Sequence, residues 1–140
     1  MSKLTETIPT YATLPIRLGL GSVMVAHGAQ KVLGIWGGRG FNTWISGMPP
    51  FEFMRPTWLW MSVAAFAEFL GGIMIIFGLY TRVAAFFVAC TMATAVVGVH
   101  MKNGFFLAQG GIEFAMVLLA MAVSLLIWGG GSASADSKIG

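Results

Sequence analysis

The chain has 140 residues, of which 57% are hydrophobic and 9% are charged, and its formal net charge at pH 7 is +3. A soluble domain carries roughly a quarter charged residues, so this composition excludes an ordinary soluble protein and predicts a single domain, residues 1–140, in contact with a lipid bilayer. The eight Lys and Arg residues are scattered along the chain with no basic run, so no nucleic-acid partner is predicted.

Four apolar segments follow one another along the chain, at about 12–33, 57–79, 82–101 and 107–128. Each is about 20 residues long, enough to cross a hydrocarbon core of roughly 30 Å at a helical rise of about 1.5 Å per residue. Backbone groups in lipid must be hydrogen-bonded within their own segment, so each segment is predicted to be a helix. The predicted fold is an all-α membrane protein, a bundle of four transmembrane helices.

The first segment is expected to remain in the protein. The first 13 residues of the chain are polar and nearly neutral, and Arg17 interrupts the apolar run that a signal peptide would need. A cleavage site of small residues is also missing from the sequence that follows.

Residues 34–56 form the long connection between the first and second segments, and they alternate Gly and Pro with Trp and Phe. This composition predicts an ordered loop that folds onto the bundle at the membrane interface. Tryptophan favours that boundary, and all five tryptophans lie at a predicted one: Trp36, Trp44, Trp58, Trp60 and Trp128. A polar tail, residues 130–140, follows the fourth segment.

Ionisable and amide side chains inside the segments are the candidates for chemistry, because such groups are costly in lipid and usually face the bundle interior. They are His27, Gln30 and Lys31 in the first segment, Glu68 in the second, His100 in the third and Glu113 in the fourth. From the helical rise, His27 and Glu113 lie at a similar depth, about 7 Å from the midplane. We therefore expect one cluster under the long loop, with His27 and Glu113 pointing inward and close enough for direct or water-mediated contact.

Two interpretations of this cluster stay open. The polar groups could satisfy one another and lock the helices together. They could also form a pocket for a redox head group or a proton relay, since His and Glu titrate near neutral pH when their surroundings shift them.

Other redox sites have less support. His27 and His100 differ in depth by about one helical turn, which disfavours bis-histidine haem. No close His and Glu spacing indicates a metal site, and none is predicted. Cys90 is the single cysteine, which excludes a thiol–disulfide relay to quinone.

Several short motifs, in order and at their spacing, resemble the DoxX family over about residues 15–129. They are RLGLG at 17–21, HGAQK at 27–31, EFLGG at 68–72, GLYTR at 78–82, NGFF at 103–106 and GIE at 111–113. The resemblance implies a multi-pass protein of a bacterial or archaeal cytoplasmic (inner) membrane with both termini cytoplasmic. Charge alone predicts no orientation, because Lys and Arg are equally divided between the two sides. The family includes subunits associated with a quinol oxidase and with thiosulfate:quinone oxidoreductase, while many members have no established activity.

The leading prediction from this resemblance is a membrane subunit of a quinone-linked oxidoreductase that acts on a sulfur compound such as thiosulfate. The quinone head group would contact His27, Gln30, Lys31 and His100, and Glu68 or Glu113 would accept protons. Without a cysteine pair or a flavin or iron–sulfur motif, the chain needs a partner subunit, and a homo-oligomer is also compatible with the sequence.

The alternative is a non-catalytic anchor or assembly subunit with a structural polar cluster. A small multidrug transporter is disfavoured, because such proteins carry their essential Glu in the first helix, where this chain has Arg17 and His27.

Overall fold

The computed structural model describes residues 3–139, and within that range it contains six α-helices and no strand. The fourth helix, Thr81–Ala95, is continued by a π-helical turn at Val96–His100 and a 3₁₀ turn at Met101–Asn103. A second 3₁₀ turn lies at Leu107–Gln109. The prediction of an all-α fold is confirmed for the described residues. The helices are α1 (Thr13–Val32), α2 (Phe41–Ile45), α3 (Thr57–Phe77), α4 (Thr81–Ala95), α5 (Glu113–Trp128) and α6 (Ala135–Ile139).

The long helices pack side by side in the order α1–α3–α4–α5, and α5 returns to contact α1. Apolar side chains from all four meet in the middle, among them Leu20, Ile75, Val88, Leu118 and Leu125. Large apolar side chains also cover the outside of α3, α4 and α5. Helices that are apolar on all sides are typical of a bundle surrounded by lipid.

Two helices are long and apolar enough to cross a membrane by length and composition: α3, and α4 together with its extension to Asn103. Helix α5 is apolar but has 16 residues, and α1 carries Arg17, Gln30 and Lys31. Four membrane-spanning helices were predicted. Among the described residues, α3 and the extended α4 are the two that have both the length and the hydropathy needed to cross a membrane.

The fourth predicted segment begins later than expected. Helix α5 starts at Glu113, not at 107, because residues 104–112 form an irregular connection. Gly104 and Gly110 take positive φ angles of 83° and 75° there, a conformation that glycine adopts without strain. Glu113 therefore lies in the first turn of α5, about 9 Å nearer that end of the bundle than a helix starting at 107 would place it.

The long loop folds onto the bundle, as predicted. The indole Nε1 of Trp44 donates a hydrogen bond of 2.7 Å to the Met61 carbonyl on α3. The ring of Phe41 lies 5.7 Å from that of Phe66, also on α3. Pro50 packs against Gly98 in the π-helical turn, where an added Cβ would come within 2.8 Å of the proline Cβ. The loop therefore covers the ends of α3 and α4.

At the opposite end of the bundle, the C-terminal tail is held by two buried charges. Arg17 is 2% exposed and donates to the carbonyls of Ile75, Ile76, Gly130 and Ala133, at 2.7–3.0 Å. Asp136 is 1% exposed and accepts the backbone N–H groups of Tyr80 and Thr81, which begin α4. The tail, for which the sequence indicated no role, closes this end.

Glycines allow α1 and α3 to approach closely. A Cβ added at Gly28 would lie 2.5 Å from the backbone N and Cα of Phe69, and one at Gly72 would lie 2.8 Å from the Val25 nitrogen. Contacts of this kind let helices associate by van der Waals packing where lipid removes the hydrophobic driving force. The rotation of α1 against α3 is therefore set at Gly28.

We predict that Gly28→Ala lowers the thermal stability of the detergent-purified protein, because the new methyl group meets backbone that cannot move aside. Overpacking of this type costs about 1–3 kcal/mol. Gly19→Ala is the matched control, since its Cβ would meet only the flexible end of Met121 at 3.4 Å. Thermal unfolding followed by circular dichroism measures both, and equal melting temperatures for the two variants would contradict the prediction.

Candidate functional site

A buried ion pair joins α1 to α3 under the long loop. The Lys31 ammonium on the last turn of α1 lies 2.6 and 2.7 Å from the two carboxylate oxygens of Glu68. The Glu68 side chain is 4% exposed and that of Lys31 is 21% exposed. A carboxylate buried to this extent is stable only when it is paired, so each residue requires the other.

The close packing at Gly28 is what positions the pair. Lys31 follows Gly28 by three residues and Glu68 precedes Phe69, so the two side chains leave their helices beside the closest backbone contact. At the entrance, the ring of Trp44 lies 4.4 Å from the Lys31 ammonium, close enough for a cation–π interaction. The loop thereby completes the surroundings of the lysine.

A cavity of about 410 Å³ opens beside this pair, between the loop, α3 and α4. This volume falls in the range of small-molecule sites, about 300–1,000 Å³. Its walls are mostly apolar, and the hydroxyls of Thr91 and Thr94 are already bonded to carbonyls of their own helix. The principal lining residues are Lys31, Arg39, Trp44, Met48, Pro50, Met54, Trp60, Met61, Val63, Glu68, Cys90, Thr91, Thr94 and Val99.

The polar groups available to a ligand are therefore few. A lysine ammonium has three N–H donors, and two of those on Lys31 are directed at Glu68. Within the described residues the third has no hydrogen-bond acceptor and lies beside the Trp44 ring and the cavity. Arg39 adds an exposed guanidinium at the edge. The arrangement suits an apolar ring that carries a hydrogen-bond acceptor.

The predicted cluster of polar residues is only partly present. Lys31 and Glu68 meet, while Gln30 instead donates through its side-chain amide to the Trp36 carbonyl at 3.2 Å and holds the start of the loop. The Nδ1 atom of His100 lies 2.8 Å from the Gly110 carbonyl, within the connection to α5. Neither Gln30 nor His100 lines the cavity.

The prediction that His27 and Glu113 both point into the bundle is wrong for His27. His27 is exposed, with its ring 6.2 Å from that of Phe114, because Gly28 and not His27 takes the position against α3. Glu113 is half-buried and accepts the Leu107 backbone N–H at 2.9 Å, since α5 begins only at this residue. Its carboxylate stabilises the connection and does not reach the ion pair.

Sequence reasoning missed Trp44 and Arg39 as parts of the site. Trp44 was interpreted only as a membrane-boundary residue, although an aromatic residue in a loop beside a lone buried lysine is a signal for a cation–π contact. Within residues 3–139, no three His, Cys, Asp or Glu side chains converge to hold a metal ion.

Comparison with known proteins gives two matches. The DoxX family model matches residues 12–101, which include α1, the loop, α3 and α4 with its π-helical turn. The chain is 32% identical over 117 residues to the "Putative oxidoreductase CatD" of Bacillus subtilis (strain 168), covering 84% of this chain and 78% of that protein. No solved structure matches the chain significantly.

We predict that breaking the ion pair from one side destabilises the protein more than removing it entirely. Lys31→Met leaves the Glu68 carboxylate buried without a partner, which costs about 3–5 kcal/mol. The double variant Lys31→Met/Glu68→Met replaces the pair by apolar side chains of similar volume and should recover most of that loss. Thermal unfolding of both variants and of Glu68→Met completes a double-mutant cycle. Additive losses would show that the two residues do not interact.

Proposed function

Because the chain belongs to the DoxX family, we propose that it is a membrane subunit of a quinone-linked oxidoreductase, with the quinone head group bound in the cavity beside Lys31 and Glu68. The observation that carries the proposal is the ion pair in the wall of a mostly apolar cavity. Ionisable groups inside a membrane domain mark functional sites by default. The name of the relative from Bacillus subtilis, an oxidoreductase, supports the same reaction class.

The topology we propose has four membrane crossings, formed by α1, α3, α4 and α5, with both termini on the cytoplasmic side of a bacterial inner membrane. The short connection Gly78–Tyr80 and the docking of the tail against Arg17 support it, because they gather both chain ends and the α3–α4 turn at one end of the bundle. The loop at residues 34–56 then lies at the opposite interface, with its tryptophans at the boundary.

The cavity suits a quinone for three physical reasons. Its apolar walls accept the ring, and the aromatic faces of Trp44 and Trp60 provide stacking surfaces. The free N–H of Lys31 can donate to a ring carbonyl, which is a charge-assisted hydrogen bond in a site with little water. Glu68 accepts and returns a proton through its contact with that ammonium.

Reduction of a quinone to a quinol requires two electrons and two protons. We propose that both protons come from water and reach the ring one after the other through Glu68 and Lys31, so that the ion pair is restored after each transfer. The electrons come from a partner subunit that oxidises a sulfur compound such as thiosulfate. Cys90 is the single cysteine of the chain, so a disulfide relay within it is excluded. A redox centre on the partner must therefore lie within electron-transfer reach of the cavity.

We predict that Lys31→Met/Glu68→Met weakens binding of ubiquinone-1 and menaquinone-1 by about 10- to 100-fold, because a charged hydrogen bond of about 1.5–3 kcal/mol is lost. Binding is read from quenching of tryptophan fluorescence, since Trp44 and Trp60 line the cavity. Quinone-dependent turnover of the assembled complex in membranes should be lost as well. His27→Ala and Glu113→Gln change side chains outside the cavity and should leave binding unchanged.

Two results would overturn the proposal. A double variant that assembles and turns over at the wild-type rate would assign the ion pair to anchoring alone. Loss of binding in His27→Ala or Glu113→Gln, with binding intact in the double variant, would place the site where the sequence predicted it.

A further inference from the structure

An apolar groove of about 400 Å³ runs down the outside of the bundle between α3 and α4. Its walls come from Val63, Phe66, Ala67, Leu70 and Met74 on α3, with Val83, Ala84 and Phe87 on α4. The hydroxyl of Ser62, a polar group at its upper end, is bonded to the Trp58 carbonyl of its own helix. The groove therefore offers no hydrogen bond to an occupant and suits only an apolar one.

The groove adjoins the cavity. Val63 lines both of them. On α3 the stripe Trp60, Val63, Ala67, Leu70 and Met74 advances by three or four residues at each step, which keeps it on one face of the helix. On α4 the same spacing places four residues on one face of the helix. Val83 and Phe87 line the groove, and Cys90 and Thr94 line the cavity.

This adjacency indicates the occupant. The hydroxyls of Ser62, Thr91 and Thr94 are bonded to their own helices, so an apolar chain that runs from the cavity past Val63 into the groove meets no free hydroxyl. From Val63 to Met74 the groove is about 17 Å long at the helical rise, which suits an extended hydrocarbon chain and not a compact ligand. The exposed side chains along it, Val63, Phe66, Leu70 and Phe87, are apolar.

We propose that the groove between α3 and α4 binds the isoprenoid tail of the quinone, so that the substrate is a long-chain membrane quinone that enters sideways from the lipid. This inference rests on the function proposed above. It adds that the tail is recognised and that the route of entry lies between α3 and α4, away from the loop at residues 34–56.

The test fills the groove and compares tails of different length on one head group. Ala67 is half-buried in the groove wall, and Ala67→Leu or Leu70→Trp narrows the groove without touching the ion pair. Ala120→Leu, at an exposed alanine of α5, is the matched control. The probes are ubiquinone-1 with ubiquinone-4, and menaquinone-1 with menaquinone-4, at a fixed detergent concentration.

The groove variants should weaken binding of the four-unit quinone by about three- to tenfold and leave the one-unit quinone unchanged. The effect is modest because the tail exchanges one apolar environment for another and loses only packing contacts. The control variant should change neither. Equal affinities of both quinones for wild type and groove variants would overturn the inference while leaving the head-group site intact.

Other occupants give different results. If Ala67→Leu removes a co-purified phospholipid but leaves both quinones bound, the groove is a lipid site and the inference fails. A change in oligomeric state with quinone binding intact would assign the groove to a second copy of the chain, which also overturns it. If neither one-unit quinone binds the wild-type protein, the proposed quinone site itself is wrong, and the inference about the tail falls with it.

Discussion

The close packing of α1 on α3 is the constraint on which the rest of the bundle depends. At Gly28 the two backbones approach so closely that no side chain fits between them. That contact fixes the rotation of α1, places Lys31 opposite Glu68 and turns His27 to the exposed side. A second close contact positions the start of the long loop, because Gly38 packs against Gln30 at the end of α1.

The two ends of the bundle use buried charge differently. Arg17 directs four of its five N–H groups at backbone carbonyls of α3 and the tail and has Asp136 nearby, so its charge mainly holds the tail against α3. Lys31 is bonded to Glu68 but keeps one donor beside a cavity. A buried charge bonded to backbone carbonyls stabilises a structure, whereas one whose remaining donor lies beside a cavity can also bind a ligand. This difference is why the candidate site lies at the loop end.

The positions of individual side chains show the reach of sequence reasoning. The predicted depth of Glu113 assumed a helix that begins at residue 107. Gly110 instead takes a positive φ angle, and α5 begins at Glu113. His27 and Lys31 were predicted to lie in one cluster, but the contact at Gly28 directs Lys31 towards Glu68 and leaves His27 exposed. Lys31 and Glu68 were both among the predicted site residues, although nothing local in the sequence paired them with each other.

The sequence by itself determined the helical class, the order of the long apolar helices, the membrane character and the candidate polar residues. These follow from composition and from the cost of exposing backbone or charge to lipid, which are properties of single segments. Only the tertiary structure decided which polar groups meet, that the loop encloses a cavity with Trp44 at its entrance, and that Arg17 and Asp136 hold the tail. Those outcomes depend on distances between segments. Backbone contacts at glycine set many of these distances, and such contacts leave no periodic pattern in the sequence from which they could be predicted.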